Sequence, residues 1–472
     1  MRADEASPAP PAASPDSVFG VETAGTEPVP ADRRHGRPWS LFTLWFGANV
    51  QFATLSLGAL ATSVFGLDFV PAAFAIVLGT LISSCLVGLL STRGPRTGVL
   101  QLIQARGPFG RLGNLPSAAF TVVNGVGWCV VDSVLGIFIL RNLLHIGFTP
   151  ALVVMTAGQL AVAVLGYRMI HYVERTLAVL LVAVFAVVSA YGFAGAHLAS
   201  PSKPFAGTVG AFILTVSVTS ARGLGWAAYS SDYSRYLPSG SRPGRVFLAA
   251  AGGSTVAGVW IGVLGAALGT AGMVADPSSM VSKLLPHVIG SVVLVSLLLS
   301  TLASTVIDLY SGAMAALVAG FRIPRWVSVV VVGGLGSILT WFAGQHDFAT
   351  QFQNFLLLTG YWLAPWAAVI VVAFWWRERR TQPRLEKLYD RGHRFGWGLP
   401  ATLLGVAATL PFMNQSLYTG PIAAAHPGLG DIANFVGFAV AGLAYAALTA
   451  WKPAVAPVPA PLADPVGAAS AD

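Results

Sequence analysis

The chain has 472 residues and a formal net charge of +8; 55% of its residues are apolar and 10% are charged. Soluble domains carry roughly 25% charged residues, so this chain has too few charges to coat a water-soluble surface. Its positive charges gather into no basic face, which argues against nucleic-acid binding. The two cysteines, Cys85 and Cys129, lie in apolar runs with no disulfide or metal-ligand spacing, and the eight histidines are scattered singly.

Residues 1–38 are rich in Pro, Ala and acidic residues, lack the apolar segment of a signal peptide, and read as a disordered cytoplasmic tail. Apolar runs then recur, each near the roughly 20 residues that cross a hydrocarbon core. Twelve spans are predicted. The first five are Trp39–Phe65, Phe69–Leu90, Leu115–Leu144, Ala151–Tyr167 and Leu177–Ala199. The next five are Thr208–Ser230, Val246–Met273, Val288–Gly320, Trp326–Ala343 and Phe352–Trp376. Gly398–Met413 and Ile432–Trp451 complete the set, and the Ala- and Pro-rich residues 452–472 read as a second disordered cytoplasmic tail.

Arginine and lysine concentrate in alternate loops, with the densest run between Arg377 and Arg394. The opposite loops offer little beyond Arg141, Lys203 and Lys283. This asymmetry predicts a multi-pass protein of the plasma membrane with both termini in the cytoplasm.

Polar groups within spans are expensive and mark function by default. In the first span Gly47, Ala48, Asn49 and Gln51 interrupt an apolar run, which suits a broken helix lining a cavity. The third span carries Asn124, Trp128 and Asp132 at i, i+4 and i+8, on one helix face. That stripe lines a cavity or, alternatively, glues helices together. In the sixth span Arg222, Gly223, Gly225 and Trp226 suit an unwound segment; Arg222 either pairs with Asp132 or Asp308, or snorkels from a helix end. The eighth span brings Ser300, Ser304, Thr305, Asp308 and Ser311, hard oxygen ligands for a small cation unless the hydroxyls only bond back along the helix. Spans one and six thus both look interrupted. They stand five apart, an odd number, so a second set of five would be inverted; paired interruptions of this kind point to a transporter binding site.

Several segments resemble the nucleobase–cation symporter family, purine/cytosine permease branch. They are Trp39-Ser40-Leu41-Phe42-Thr43-Leu44-Trp45-Phe46-Gly47-Ala48-Asn49, Gly225-Trp226-Ala227-Ala228-Tyr229 continuing through Ser230-Ser231-Asp232-Tyr233-Ser234-Arg235-Tyr236-Leu237-Pro238, Asp308-Leu309-Tyr310-Ser311-Gly312, and Gly360-Tyr361-Trp362-Leu363-Ala364-Pro365-Trp366. The resemblance spans roughly residues 37–452. It implies an all-α polytopic fold of the leucine-transporter type, a 5+5 inverted repeat (about 39–199 and 208–376) plus two C-terminal helices. It also implies that Trp128 and Trp226 sandwich a planar ring and that Asp132 reads the ring edge. The substrate-binding candidates are Asn49, Asn124, Trp128, Asp132, Gly225, Trp226 and Asp308. The cation candidates are Ala48, Gln51, Ser304 and Thr305, with sodium or a proton as the coupling ion and no cofactor. Asp232 and Arg235 are expected as a pair at a helix end on the cytoplasmic face. The function implied is cation-coupled import of a cytosine or purine by alternating access. The substrate alternatives are hydantoins, allantoin, thiamine or pyridoxine-like vitamins. An integral membrane enzyme lacks a catalytic constellation here, a channel lacks a repeated pore loop, and a primary pump lacks a phosphate-binding loop. No nucleic acid or obligate protein partner is indicated.

Overall fold

The computed structural model describes residues 27–164, 167–198, 208–271, 277–319, 325–377 and 385–450. The expected tails fall outside these, apart from residues 27–38. Most of those twelve are exposed, but Val29 and Arg34 tie the segment to the helices that follow. Val29 is buried and donates its N–H to Gly98 O (2.9 Å), and Arg34 donates to Val29 O (2.9 Å) and Pro95 O (2.8 Å). An arginine that satisfies two loop carbonyls gives this short segment an anchor its composition does not advertise.

The first predicted span is two helices, α1 (Trp39–Asn49) and α2 (Phe52–Ser63), meeting at 58°. Val50 and Gln51 leave the helical region between them, with ψ of 75° and 154°. There follow α3 (Phe69–Ser91), the short α4 (Gly94–Thr97) and α5 (Gln101–Phe109), then α6 (Leu115–Leu144), α7 (Phe148–Val164) and α8 (Tyr167–Ala194). The sixth span is α9 (Val209–Leu224), a tight 3-10 segment Gly225–Tyr229, and α10 (Ser230–Ser234). Next come α11 (Pro243–Gly269), α12 (Pro277–Leu284), α13 (His287–Ala319), α14 (Arg325–Ala343) and α15 (Phe348–Val371). The last helices are α16 (Leu385–Tyr389), α17 (Gly398–Thr409), α18 (Pro421–Ala425) and α19 (Ala433–Ala450). Against twelve expected crossings, six helices among the described residues are long and apolar enough to span a membrane; the bent α1–α2 pair makes a seventh, and three shorter apolar helices accompany them.

The packing repeats itself. α2 packs on α11 as α9 packs on α3; α7 packs on α13 as α14 packs on α6; α8 packs on α13 as α15 packs on α6. α3–α11 and α6–α13 are pairs that map onto themselves. This is the contact pattern of five elements repeated once about an internal two-fold, with α17 and α19 added against α15. The fold is therefore the leucine-transporter type, a 5+5 inverted repeat with two further C-terminal helices.

Glycine makes two of the equivalent contacts possible. A Cβ on Gly58 would stand 2.0 Å from Gly262 O, and one on Gly79 would stand 2.6 Å from Val216 O. Backbones that close need small residues at the crossing. The two added helices are tied in by Asp431, just ahead of α19. Its carboxyl accepts from the Tyr361 hydroxyl, Asn414 N (2.7 Å) and Ala433 N (3.1 Å). Burial raises the Asp431 carboxyl to about 6, with those hydrogen bonds opposing the shift.

Two outcomes follow. Gly58→Ala should lower stability by about 1–3 kcal/mol, the usual cost of overpacking, read as a fall in melting temperature in detergent. Gly334→Ala, where an added Cβ meets nothing within 4 Å, should leave it unchanged. A carboxyl raised in the folded state loses its stabilising contribution as pH rises through the folded value. Melting temperature should therefore fall between about pH 4 and 6 in the native chain, and that slope should flatten in Asp431→Asn.

Candidate functional site

The two interrupted spans meet at a buried guanidinium. Arg222, near the end of α9, is 5% exposed and donates from Nη1 to Asn49 Oδ1 at 2.7 Å. Asp132 on α6 is its electrostatic partner. Arg222 does not snorkel; it is held by the end of α1, within electrostatic reach of Asp132 on α6. Asn49, expected among the substrate ligands, is fully occupied by this task. Its Nδ2 donates to Trp45 O (2.7 Å) and lies 3.3 Å from Ser254 Oγ, and its Oδ1 takes the guanidinium. Both polar atoms of the amide thus have partners within the protein, at 1% exposure.

Trp128 and Trp226 stand at the second interruption. A Cβ on Gly225 would lie 3.3 Å from Trp128 Nε1 and 3.9 Å from Asn124 Nδ2, so the missing side chain lets α6 approach the 3-10 segment. Asn124 is buried, and its Oδ1 accepts from Thr359 on α15 at 2.9 Å. Both indoles make T-shaped contacts: Trp128 with Phe352 and Phe355, Trp226 with Trp45, at 5.3–6.3 Å between centroids. Among the described residues neither indole is stacked face to face on another ring. Both are only partly buried.

Asp132, one turn beyond Trp128, is 4% exposed and lies near Ser304 of α13. Asp308, one turn further along α13, interacts electrostatically with Asp132, and its Oδ2 is buried without a hydrogen-bond partner. Gln51 at the α1–α2 break reaches Ser304 Oγ at 3.4 Å through Nε2. Gln51 and Ser304 of the expected cation candidates thus lie close together. The Gln51 carbonyl already accepts from Thr54 N (3.2 Å) and Leu55 N (3.3 Å). Thr305 gives its proton to Thr301 O (2.9 Å), as Ser133 gives its own to Cys129 O (2.6 Å). Both hydroxyls must therefore accept from Gln159 Nε2 of α7, at 3.1 and 2.8 Å. Ala48 sits partly buried at the end of α1.

The segment after the 3-10 turn is a clamp. Asp232 Oδ1 accepts from Gln101 N at 2.7 Å, capping α5 from a distance. Ser231 Oγ lies 3.1 Å from Leu90 O and 2.8 Å from Gln101 Oε1, and Ser234 donates to Ser91 O at 2.7 Å. Arg235, expected at an exposed helix end, is 1% exposed. It interacts with Asp232 and donates to Tyr236 Oη at 2.8 Å. These hydroxyls and charges belong to the packing of the α3–α5 corner. Gln159, Thr359, Ser254 and the Phe352/Phe355 pair escaped the sequence reading. Of these only Gln159, a lone amide in an apolar run, carries a signal that a search for costly buried polars would have found.

A family model described as permease for cytosine/purines, uracil, thiamine, allantoin matches residues 28–437. Among curated relatives, the putative purine-cytosine permease YxlA of Bacillus subtilis (strain 168) is 28% identical over 439 residues, covering 90% of this chain and 95% of its own. The purine-cytosine permease fcyB of Emericella nidulans is 26% identical, covering 91% and 88%. Among solved structures, Mhp1, a nucleobase-cation-symport-1 family transporter in a closed conformation with bromovinylhydantoin bound, superposes with a TM-score of 0.70 at 19% identity, over 92% of this chain and 96% of its own.

A buried charge that loses its compensating opposite charge costs about 3–5 kcal/mol. Arg222→Gln should lose stability on that scale. Arg222→Gln combined with Asp132→Asn should recover a large part of it. A double-mutant cycle on melting temperature checks the coupling; additive losses would mean the two groups do not interact.

Proposed function

Since the chain belongs to the family of permeases for cytosine/purines, uracil, thiamine and allantoin, we propose that it imports a purine or cytosine by cation symport with alternating access. It is a multi-pass membrane transporter, not an enzyme, and its substrate is a small molecule. The reading adds that it lies in the plasma membrane with both termini in the cytoplasm, as the Arg and Lys loop asymmetry supports.

One observation carries the substrate assignment. Trp128 and Trp226 stand at the Gly225 approach, only partly buried and without a stacked ring partner among the described residues, which supports a flat guest beside them. A nucleobase offers apolar faces and a hydrogen-bonding rim. Stacking on an aromatic contributes about 1–3 kcal/mol per base. Asp132, one turn from Trp128, supplies a carboxylate for adjacent rim donors, such as an amino group beside a ring N–H, found in guanine and in protonated cytosine. A charge-assisted bond of this kind is about twice as strong as a neutral one.

Uptake of labelled cytosine, adenine, guanine and hypoxanthine, in cells lacking their own base transporters, tests the reading. One base should be taken up saturably. Trp128→Ala should weaken uptake roughly 5- to 150-fold, the loss of one stacking partner, while Trp128→Phe keeps most of it. Asp132→Asn should change which base is preferred. Correctly inserted protein that transports none of the four would overturn the nucleobase assignment and favour hydantoins or vitamins.

A further inference from the structure

We propose that a phospholipid acyl chain occupies a cavity between α3, the end of α9, α11, α15 and α19, apart from the place where Trp128 and Trp226 stand. The inference does not depend on which substrate the protein carries.

The cavity measures about 500 Å³, within the roughly 300–1,000 Å³ of ligand-binding sites. Its walls include Cys85 and Leu86 of α3, Leu224 of α9, Phe247 of α11, Ala364 of α15 and Phe438 of α19. Protein interiors leave few voids larger than a water molecule, so a space of this size in a helix bundle calls for an occupant.

The surroundings decide what that occupant is. Of the five helices, α3, α11, α15 and α19 are each long and apolar enough to cross a membrane. Ile82 and Cys85, both on the wall, are exposed, so the cavity is open on its α3 side. That mouth faces hydrocarbon. Along α15 the wall runs from Ala364 to Val371, a rise of roughly 10 Å, which fits within the roughly 15 Å of one leaflet's hydrocarbon. This is the end of α15 that leads to the Arg377–Arg394 run, so on the orientation proposed above the cavity lies in the cytoplasmic leaflet.

The polar groups on the wall turn away a polar guest. Among the lining residues only Ser220 and Asn434 carry a hydroxyl or an amide side chain. Asn434 Oδ1 accepts from Ser217 Oγ at 2.9 Å, its Nδ2 donates to Ser220 Oγ at 3.1 Å, and Ser220 Oγ donates to Ser217 O at 2.9 Å. These groups are spent on one another. A trapped water needs about two to four polar partners, and a heterocycle would leave its rim unsatisfied. An acyl chain asks only for apolar contact. Lipid tails are as apolar as leucine, so entry brings no hydrophobic gain; the gain is the dispersion contact that an empty cavity forfeits. Leu224 immediately precedes the Gly225–Tyr229 segment. The chain therefore lies against the last turn of α9, and the second interruption rests partly on lipid.

Purified protein in nanodiscs, with a phosphatidylcholine whose acyl chain carries a diazirine, tests this by peptide mapping after illumination. Surrounding lipid reaches Phe74, Leu248 and Leu443, which are exposed. Only a chain inside the cavity reaches Leu224 and Ala364, which are 4% and 3% exposed. Adducts should form at Leu224 and Ala364, and their yield should saturate as the probe fraction rises. Yield at the three exposed residues should keep rising in proportion. Cys85→Trp, which fills the cavity from the α3 side, should lose the adducts at Leu224 and Ala364 and keep the others. Should that variant fail to insert, saturation in the native protein decides alone. Adducts confined to exposed residues, or adducts at Leu224 that never saturate, would overturn the inference. A two-chain particle without adducts at Leu224 and Ala364 would assign the cavity to a second copy and overturn it as well. None of these outcomes depends on base uptake, so failure here is distinct from failure of the substrate reading.

Discussion

A single guanidinium, buried where two broken helices face each other, is the constraint on which the centre of this protein depends. Arg222 cannot be left unpaired at 5% exposure in a membrane. Its Nη1 takes the Asn49 side chain, which fixes the end of α1, and its charge is set against Asp132 on α6. Through Asn49, Trp45 and Ser254 are also bound in, so α1, α9, α6 and α11 share one network. Removing any member strands the others, since a partly satisfied buried network is worse than an apolar core.

That network needs both breaks at one depth, and the repeated architecture supplies it. The glycine crossing of α2 with α11 and that of α3 with α9 are equivalent contacts in the two halves. Each holds one interrupted span against the long helix of the other half. The interruptions then face each other across the internal two-fold, where α6 and α13 run alongside. The helices differ in how they yield: the first bends by 58° at Val50 and Gln51, while the sixth tightens into a 3-10 turn that leaves the helical region at Tyr229, with φ of −116° and ψ of 0°.

What was legible in the sequence was local. The Asn124, Trp128, Asp132 stripe follows from a period of 3.6, and α6 runs from Leu115 to Leu144, the bounds hydropathy gives. The paired interruptions follow from polar residues where apolar ones are cheaper. What was not legible was direction and partnership. Nothing in the run around Asn49 tells that its amide turns toward a guanidinium 173 positions later. Gln159 meets Thr305 from 146 positions away, so its hold on the expected cation site is a property of the fold. Arg235 reads as a surface charge because it ends a helix, but the corner of α3 and α5 closes over it.

That corner explains why alternating access and the Ser-Ser-Asp-Tyr-Ser-Arg-Tyr element belong together. α10 continues the same span that carries Trp226, and its side chains reach the end of α3 and the start of α5 through Ser231, Asp232 and Ser234. Any rotation of the sixth span that opens the Trp226 side of the site must drag these contacts with it. A Cβ on Gly94 would stand 2.0 Å from Ser234 Oγ, so the corner has no slack to absorb the motion. The hydrogen bonds must break or move as a unit. An element that is either fully bonded or fully released makes the transition two-state, which a carrier requires so that its substrate is never open to both sides at once.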